Sequence, residues 1–328
     1  MPNISTTYLG LELKSPIVAA SSGLTSTVDD IKKIEKAGAG AVVLKSLFEE
    51  EIVIDMERDM RRMQSENFLY PETMDYYENF DVEDTLSNYL KLITECRKEV
   101  GIPVIASINC ITAHNWPYFA KSLQDAGVEA IELNIFSLPS DIDREGIDNE
   151  KVYFDVVEAV LKEVSIPVSV KISSYFSNLA NVITRLSKTG IAGIVLFNRF
   201  YSPDIDVDNM EVIPTHIFSQ EYEYTMPLRW IAITSNRVEC DLAATTGIHD
   251  SRTMLKMILA GAQVVQVAST LYKNGVDVID RYNHELEKWM EKHEFEALAD
   301  FRGSLSQSNA NNPAGYLRVQ YMKQFNQK

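Results

Sequence analysis

Residues 126–134 read Ala-Gly-Val-Glu-Ala-Ile-Glu-Leu-Asn, and this short passage decides the fold. A small residue and a glycine close a helical stretch, and a few positions later an apolar run ends in a polar side chain. Glycine just past a helix supplies the left-handed position there, and a continuous apolar run marks a parallel strand buried on both faces. The same phrase recurs at Ala37-Gly38 before Ala41–Lys45, at Thr189-Gly190 before Gly193–Phe197, and at Ala260-Gly261 before Val264–Val267. Two further strands open on Ile-Pro, at Ile102-Pro103-Val104-Ile105 and Ile166-Pro167-Val168-Ser169-Val170. Proline at a strand's first residue sacrifices no ladder donor. Pro16–Ala20 and Asp241–Thr245 complete a set of eight expected strands, with helical patterns between most of them. Thr225–Glu239 is read as the helix before the seventh strand, although Trp230–Thr234 reads equally well as a strand.

Repeated βα units imply a parallel sheet, and eight of them predict an α/β fold, a single closed (β/α)8 TIM barrel spanning residues 1–328. The competing open doubly wound sheet is weakened by the lack of a GxGxxG fingerprint. Thr7–Ser15 is expected to form a hairpin closing the barrel bottom. Glu49–Asn88, acidic and rich in Met and Tyr, is a long insertion after the second strand. Loops of that length are usually lids or binding loops.

The 328 residues carry 31 Lys+Arg against 47 Asp+Glu, a net charge of −16. Nucleic acid and anionic membranes both need a basic footprint, so neither is an expected partner. Cys96, Cys110 and Cys240 are too scattered for a disulfide framework or a CxxC metal site, and no metal is expected. The N-terminus lacks signal-peptide features, and no apolar run approaches the ~18 residues of a membrane span. A cytoplasmic protein is expected.

Barrel chemistry sits at the C-terminal ends of the strands. Those ends carry Ser21-Ser22-Gly23, Lys45-Ser46, Ser107 and Asn109, Asn134, Lys171, Asn198, Thr246-Gly247, and Ala268-Ser269-Thr270. A lysine directly after a buried apolar run is costly unless compensated. Lys45 and Lys171 together, with three asparagines at equivalent ends, can hold something flat, polar and anionic. The ends of strands seven and eight are where many barrels bind phosphate through backbone N–H groups.

These residues resemble the dihydroorotate dehydrogenases, above all their soluble class 1 branch. The resemblance rests on Ser15-Pro16-Ile17 with Ser21-Ser22-Gly23, Val43-Leu44-Lys45-Ser46, Glu132-Leu133-Asn134, Val170-Lys171-Ile172, Thr246-Gly247-Ile248, Gly261-Ala262 with Ala268-Ser269-Thr270, and the run Ala297–Gly303. It covers about residues 6–305, leaving 306–328 as an extension. It implies FMN as cofactor, a small-molecule substrate, a place in pyrimidine biosynthesis and a homodimer. Ser21, Ser22, Gly23, Lys45, Ser46, Asn109, Asn134 and Lys171 would line the flavin, with Lys45 at its pyrimidine edge. Gly247, Ala268, Ser269 and Thr270 would hold the phosphate. Lys45, Asn134 and Asn198 would face the substrate.

The departures fall on the substrate side. The family's catalytic cysteine, three residues after the asparagine of the fourth-strand motif, is replaced by Ser137, a weaker base. The family's Asn-x-Met-Gly-Leu segment is replaced by Asn67-Phe68-Leu69-Tyr70-Pro71. Arg199 is a candidate substitute anchor for a substrate carboxylate, while Arg61-Arg62 reads as a solvated face. His114, His216 and His249 could act as bases, but the sequence places none of them above a flavin.

The function expected is an FMN-dependent oxidoreductase that takes hydride from a CH–CH bond of dihydroorotate or a related small molecule, with Ser137 and Lys45 in the chemistry. The alternatives are a flavin-binding protein with little activity of its own, and a Schiff-base lyase using Lys171 or Lys45.

Overall fold

A computed structural model of the chain describes residues 2–52, 54, 85–110, 115–200 and 202–317. The eight strands are β1 (Ile17–Ala19), β2 (Ala41–Val43), β3 (Val104–Asn109), β4 (Ala130–Asn134), β5 (Val168–Ile172), β6 (Gly193–Leu196), β7 (Asp241–Thr245) and β8 (Val264–Val267). All neighbours are parallel, and the ring closes through β8 on β1 and β2 on β3. A short strand, Leu47–Phe48, adds to β3 beyond the end of β2. The fold is therefore a (β/α)8 barrel.

Helices α1 (Val28–Lys36), α2 (Thr85–Glu99), α3 (Asn115–Asp125), α4 (Gly146–Glu163), α5 (Leu179–Leu186), α6 (Thr225–Thr234), α7 (Ser251–Ala260) and α8 (Val278–Lys292) surround it. Trp230–Thr234 thus belongs to a helix. The four helix-ending glycines do what the sequence pattern asks of them: Gly38, Gly127, Gly190 and Gly261 all take positive φ. Helix starts are capped by side chains, Thr27 accepting from Asp30 N–H and Asp250 from Thr253 N–H. The two Ile-Pro strands begin just after their prolines, whose carbonyls still accept from Val42 and Ile131 across the ladder.

The N-terminal hairpin pairs Thr6–Tyr8 with Leu11–Leu13. Tyr8, Leu9 and Leu13 pack against Val18, Val43, Ile105, Ala130, Val195, Ala243 and Val264, sealing the barrel interior from below. Leu9 N–H donates to Asp241 Oδ2 at 2.8 Å, pinning the hairpin to the start of β7.

One element was not anticipated. After β6 a second hairpin pairs Ser202–Asp206 with Glu211–Thr215. Its strands bury little and place Pro203 opposite Pro214, so it carries no apolar run to announce it. Of the long insertion, most lies outside the described residues, including Arg61-Arg62 and Asn67–Pro71; the same holds for His114. No helix among the described residues is long and apolar enough to cross a membrane.

Candidate active site

Successive strand residues face opposite sides, so Ala130, Glu132 and Asn134 of β4 share one side, as do Val264 and Gln266 of β8. Ala130 and Val264 pack inside the barrel, which places Glu132, Asn134 and Gln266 in the interior above them. A cavity of about 360 Å³ opens over this polar tier at the C-terminal ends of the strands. Its lining includes Asn109, Asn134, Lys171, Asn198, Thr245 and Gln266, the rings of Phe48, Phe136 and Phe197, and at the β7–β8 end Gly247, Ala268 and Ser269.

The floor is an electrostatic cluster. Glu132 is buried, with 1% side-chain exposure; its Oε2 accepts from Gln266 Nε2 at 2.6 Å, and its Oε1 lies 3.7 Å from Lys171 Nζ. Three buried acceptors here, Glu132 Oε1, Asn134 Oδ1 and Gln266 Oε1, have no hydrogen-bond partner among the described residues. Beside them, Ser21, Ser46 and Ser107 form a hydroxyl chain with steps of 3.1 and 2.8 Å, and Asn134 Nδ2 donates to Ser46 at 3.4 Å. Asn198 spends its amide hydrogens on the carbonyls of Ile135 and Lys171, both at 3.2 Å, tying the ends of β4, β5 and β6 together.

At the β7–β8 end, Ser219 fills a central place. Its N–H donates to Ser269 Oγ, its hydroxyl meets His249 Nε2 at 3.0 Å, and its carbonyl accepts from Lys273 at 2.8 Å. Partial burial, and then the Lys273 charge, hold His249 below its ordinary pKa. A Cβ on Gly247 would lie 2.2 Å from Tyr224 N, so only glycine allows this close approach. Thr246, just before it, is a β-branched residue held at φ +77°.

Seven expected residues lie differently from the simplest reading, among them Ser46, which is buried between Ser21 and Ser107 outside the lining. Lys45, with its side chain 47% exposed, pairs with Glu51 at 3.3 Å and stands outside the cavity lining. Ser22 caps a short 3-10 turn through Leu24 N–H, and Gly23 abuts the Tyr272 hydroxyl. Thr270 is buried, bonded at 2.9 Å to Tyr282 Oη and so turned from the cavity. Arg199 does line the cavity, but its guanidinium is engaged within the chain: Glu223 takes Nε at 2.8 Å and Nη2 at 3.2 Å, Ile217 O takes Nη1, and His216 O also takes Nη2. Four of its five N–H donors are thus engaged within the chain, leaving one Nη1–H. Ser137 lies beyond the lining, half-buried, its hydroxyl without a partner among the described residues.

Phe48, Phe136, Ser219, Thr245 and Gln266 were missed by the sequence reading. Gln266 carried a signal, a lone amide inside Val264-Val265-Gln266-Val267. No cysteine lines the cavity among the described residues; burial pushes the Cys96 thiol up to about 11 and Cys240 up to about 12.

Fold and cavity together define a (β/α)8-barrel enzyme with its site at the strand ends. Residues 3–290 match the family model described as Dihydroorotate dehydrogenase, and the chain belongs to that family. Among curated relatives, the catalytic subunit of dihydroorotate dehydrogenase B (NAD(+)) from Thermoplasma volcanium is 24% identical over 319 residues, covering 92% of this chain and 98% of the relative. The corresponding subunit from Methanocaldococcus jannaschii is 25% identical, over 86% and 92% of the two chains. Dihydroorotate dehydrogenase A (fumarate) from Lactococcus lactis subsp. lactis is also 25% identical, over 92% and 99%. Membership implies a flavin cofactor, and relatives named for two different electron acceptors resemble this chain equally.

The residues present suit such a group. Buried orphan acceptors such as Asn134 Oδ1 call for an N–H donor, and a flavin's imide supplies one. Lys171 supplies cationic donors for its carbonyl oxygens.

Proposed function

We propose that this protein is an FMN-dependent dehydrogenase that oxidises a CH–CH bond of dihydroorotate or a closely related dihydropyrimidine. The observation that carries the reading is Lys171, lining a polar cavity that runs from the β3–β5 ends to the β7–β8 end. Asn109, Asn134 and Lys171 would hold the flavin ring, Ser21 and Ser46 would support its near edge, and Gly247, Ala268 and Ser269 would hold its phosphate. The chemistry a bound FMN supplies is hydride acceptance at N5.

The chain's own part is orientation and proton handling. Oxidation takes a hydride from one carbon and a proton from its neighbour. Ser137, on the loop after β4 and just beyond the lining, would turn inward to take the proton. Among the described residues nothing bonded to its hydroxyl raises its basicity, so this reading carries a slow proton step. Asn198 orients the substrate edge through a side chain already fixed by two carbonyls. Phe48, Phe136 and Phe197 line the cavity and would narrow it around a bound ring. Lys45, paired with Glu51 outside the cavity lining, would reach the bound group only on leaving that pair.

We also infer a homodimer, supported by Ile205, Val207, Met210 and Val212, apolar side chains left exposed on the second hairpin. Sedimentation of wild type and Ile205→Asp tests that part.

The test of the main reading is the visible spectrum of the purified protein, followed anaerobically as dihydroorotate is added. A yellow protein that bleaches supports both cofactor and substrate. One that binds FMN but stays oxidised removes dihydroorotate as substrate, and one that rejects FMN overturns the reading.

A further inference from the structure

Glu132 is a carboxylate between Ile131 and Leu133 of a buried strand, and burying one is expensive unless it is paired. Its partners come from two other strands. Gln266 on β8 donates to one oxygen at 2.6 Å, and Lys171 on β5 stands 3.7 Å from the other. Lys171 is the one cation paired with Glu132 among the described residues, and its own side chain is only 12% exposed. Beneath them the Tyr8 hydroxyl is fully buried, and burial and then the Glu132 charge hold its pKa well above the ordinary value.

We propose that Glu132, braced by Gln266, is a positioning residue that holds the Lys171 ammonium at the cavity floor and sets how strongly its charge acts on the group bound above. The inference rests on the flavin reading for its consequence, but not for its geometry. A lone ammonium under an anionic reduced flavin favours reduction strongly. A carboxylate 3.7 Å from that ammonium offsets the charge and moderates the effect. Gln266 keeps the carboxylate from turning away, because one of its oxygens is tied across the barrel.

Two readouts test this. The first needs no flavin: apo protein is acylated with a water-soluble lysine reagent at mildly alkaline pH, and labelling of Lys171 is quantified by peptide mass spectrometry. Acylation requires an amine free to reach the reagent, and the Glu132 carboxylate 3.7 Å away tethers this one at the cavity floor. Glu132→Gln is expected to raise Lys171 labelling at least threefold, with other lysines unchanged and the unfolding midpoint reported alongside. Glu132→Asp, which keeps the charge but draws it back by one methylene, should fall between; if Glu132→Gln does not fold, this variant alone decides. Unchanged Lys171 labelling overturns the proposal.

The second readout is the two-electron reduction equilibrium of FMN-loaded protein against a reference dye. Glu132→Gln is expected to shift it about tenfold toward the reduced form, ~30 mV for a two-electron couple. In a Lys171→Met background the same substitution should shift it little. An undiminished shift there means that Glu132 acts directly rather than through Lys171, and overturns the positioning role. Failure of the wild type to bind FMN sinks the flavin reading, and the labelling result still judges the geometry.

Discussion

Arg199 and Glu223 close on each other face to face, Nε to Oε2 at 2.8 Å and Nη2 to Oε1 at 3.2 Å, each side chain 21% exposed. Two further donors reach the carbonyls of Ile217 and His216, so the arginine straps the segment after the second hairpin onto the β6 end. This makes Arg199 a structural clamp. Arg199→Ala is expected to lower unfolding free energy by ~2 kcal/mol, in the range of hydrogen bonds to charged groups. The apparent KM for an anionic substrate should rise less than tenfold. Denaturant unfolding and steady-state kinetics check both; a hundredfold KM increase at unchanged stability makes the arginine a substrate anchor instead.

Thr246 sits in the left-handed region at φ +77°, immediately before Gly247 at φ +74°. For a β-branched residue that conformation costs ~1–2 kcal/mol. Its hydroxyl recovers little, since it reaches the Phe197 carbonyl only at 3.5 Å. Glycine would adopt the same backbone without strain but would lose more chain entropy on folding, ~0.5–1 kcal/mol. Thr246→Gly should therefore raise stability by a net ~0.5–1 kcal/mol, seen as a higher urea midpoint at constant slope. A lower midpoint refutes the strain argument.

The barrel was legible because its signals are local. Helix, glycine and buried run recur with fixed order, and each glycine takes the backbone conformation its position demands. The strand-end polar residues followed from the rule that barrels work at that face, which is how Asn109, Asn134, Lys171 and Asn198 were found together. What stayed hidden depends on partners distant in the chain. Arg199 looked available because Glu223 meets it only in three dimensions, and Thr270 looked like a phosphate ligand because Tyr282 arrives from α8. The second hairpin was hidden for another reason: its short alternation, Asp204-Ile205-Asp206-Val207-Asp208, lies in solvent and its strands pair proline with proline, so no buried face betrays it. Glu132 and Gln266 are the instructive middle case. Each is a polar residue inside a buried strand, readable as anomalous, but their mutual bond is a property of barrel closure.

His249 gives the fold a pH dependence whose sign is fixed. Partial burial and Lys273 depress its pKa, outweighing the hydrogen bond to Ser219 and the opposing charges of Glu221 and Glu223. The folded state thus disfavours the imidazolium relative to the unfolded chain, whose histidine titrates near ~6.5. The resulting stability is full above that value and is lost as pH falls through it toward the depressed folded-state pKa. Unfolding free energy should decline between about pH 7 and pH 5, and the decline should be shallower in His249→Gln, which can still meet the Ser219 hydroxyl. Identical pH profiles for the two proteins would falsify this assignment.

Ser137 is the weakest chemical link in the proposed reaction and for that reason the most informative to change. Its hydroxyl has no basic partner among the described residues, and no cysteine lines the cavity there to replace it. An alcohol is far harder to deprotonate than a thiol of pKa ~8.5, so exchanging one for the other alters the proton step while leaving size nearly constant. Ser137→Cys is expected to speed anaerobic flavin reduction by dihydroorotate at least tenfold, with the rate rising toward alkaline pH as thiolate forms. Ser137→Ala should slow the same step by ~100-fold, the lower end for loss of a general base. Flavin content should be equal in all three proteins, because Ser137 lies outside the cavity lining. Stopped-flow bleaching of the oxidised flavin band measures each rate directly. If alanine reduces flavin as fast as serine, the proton leaves by another route, and the base must be sought among groups facing the cavity from the β6 and β7 ends.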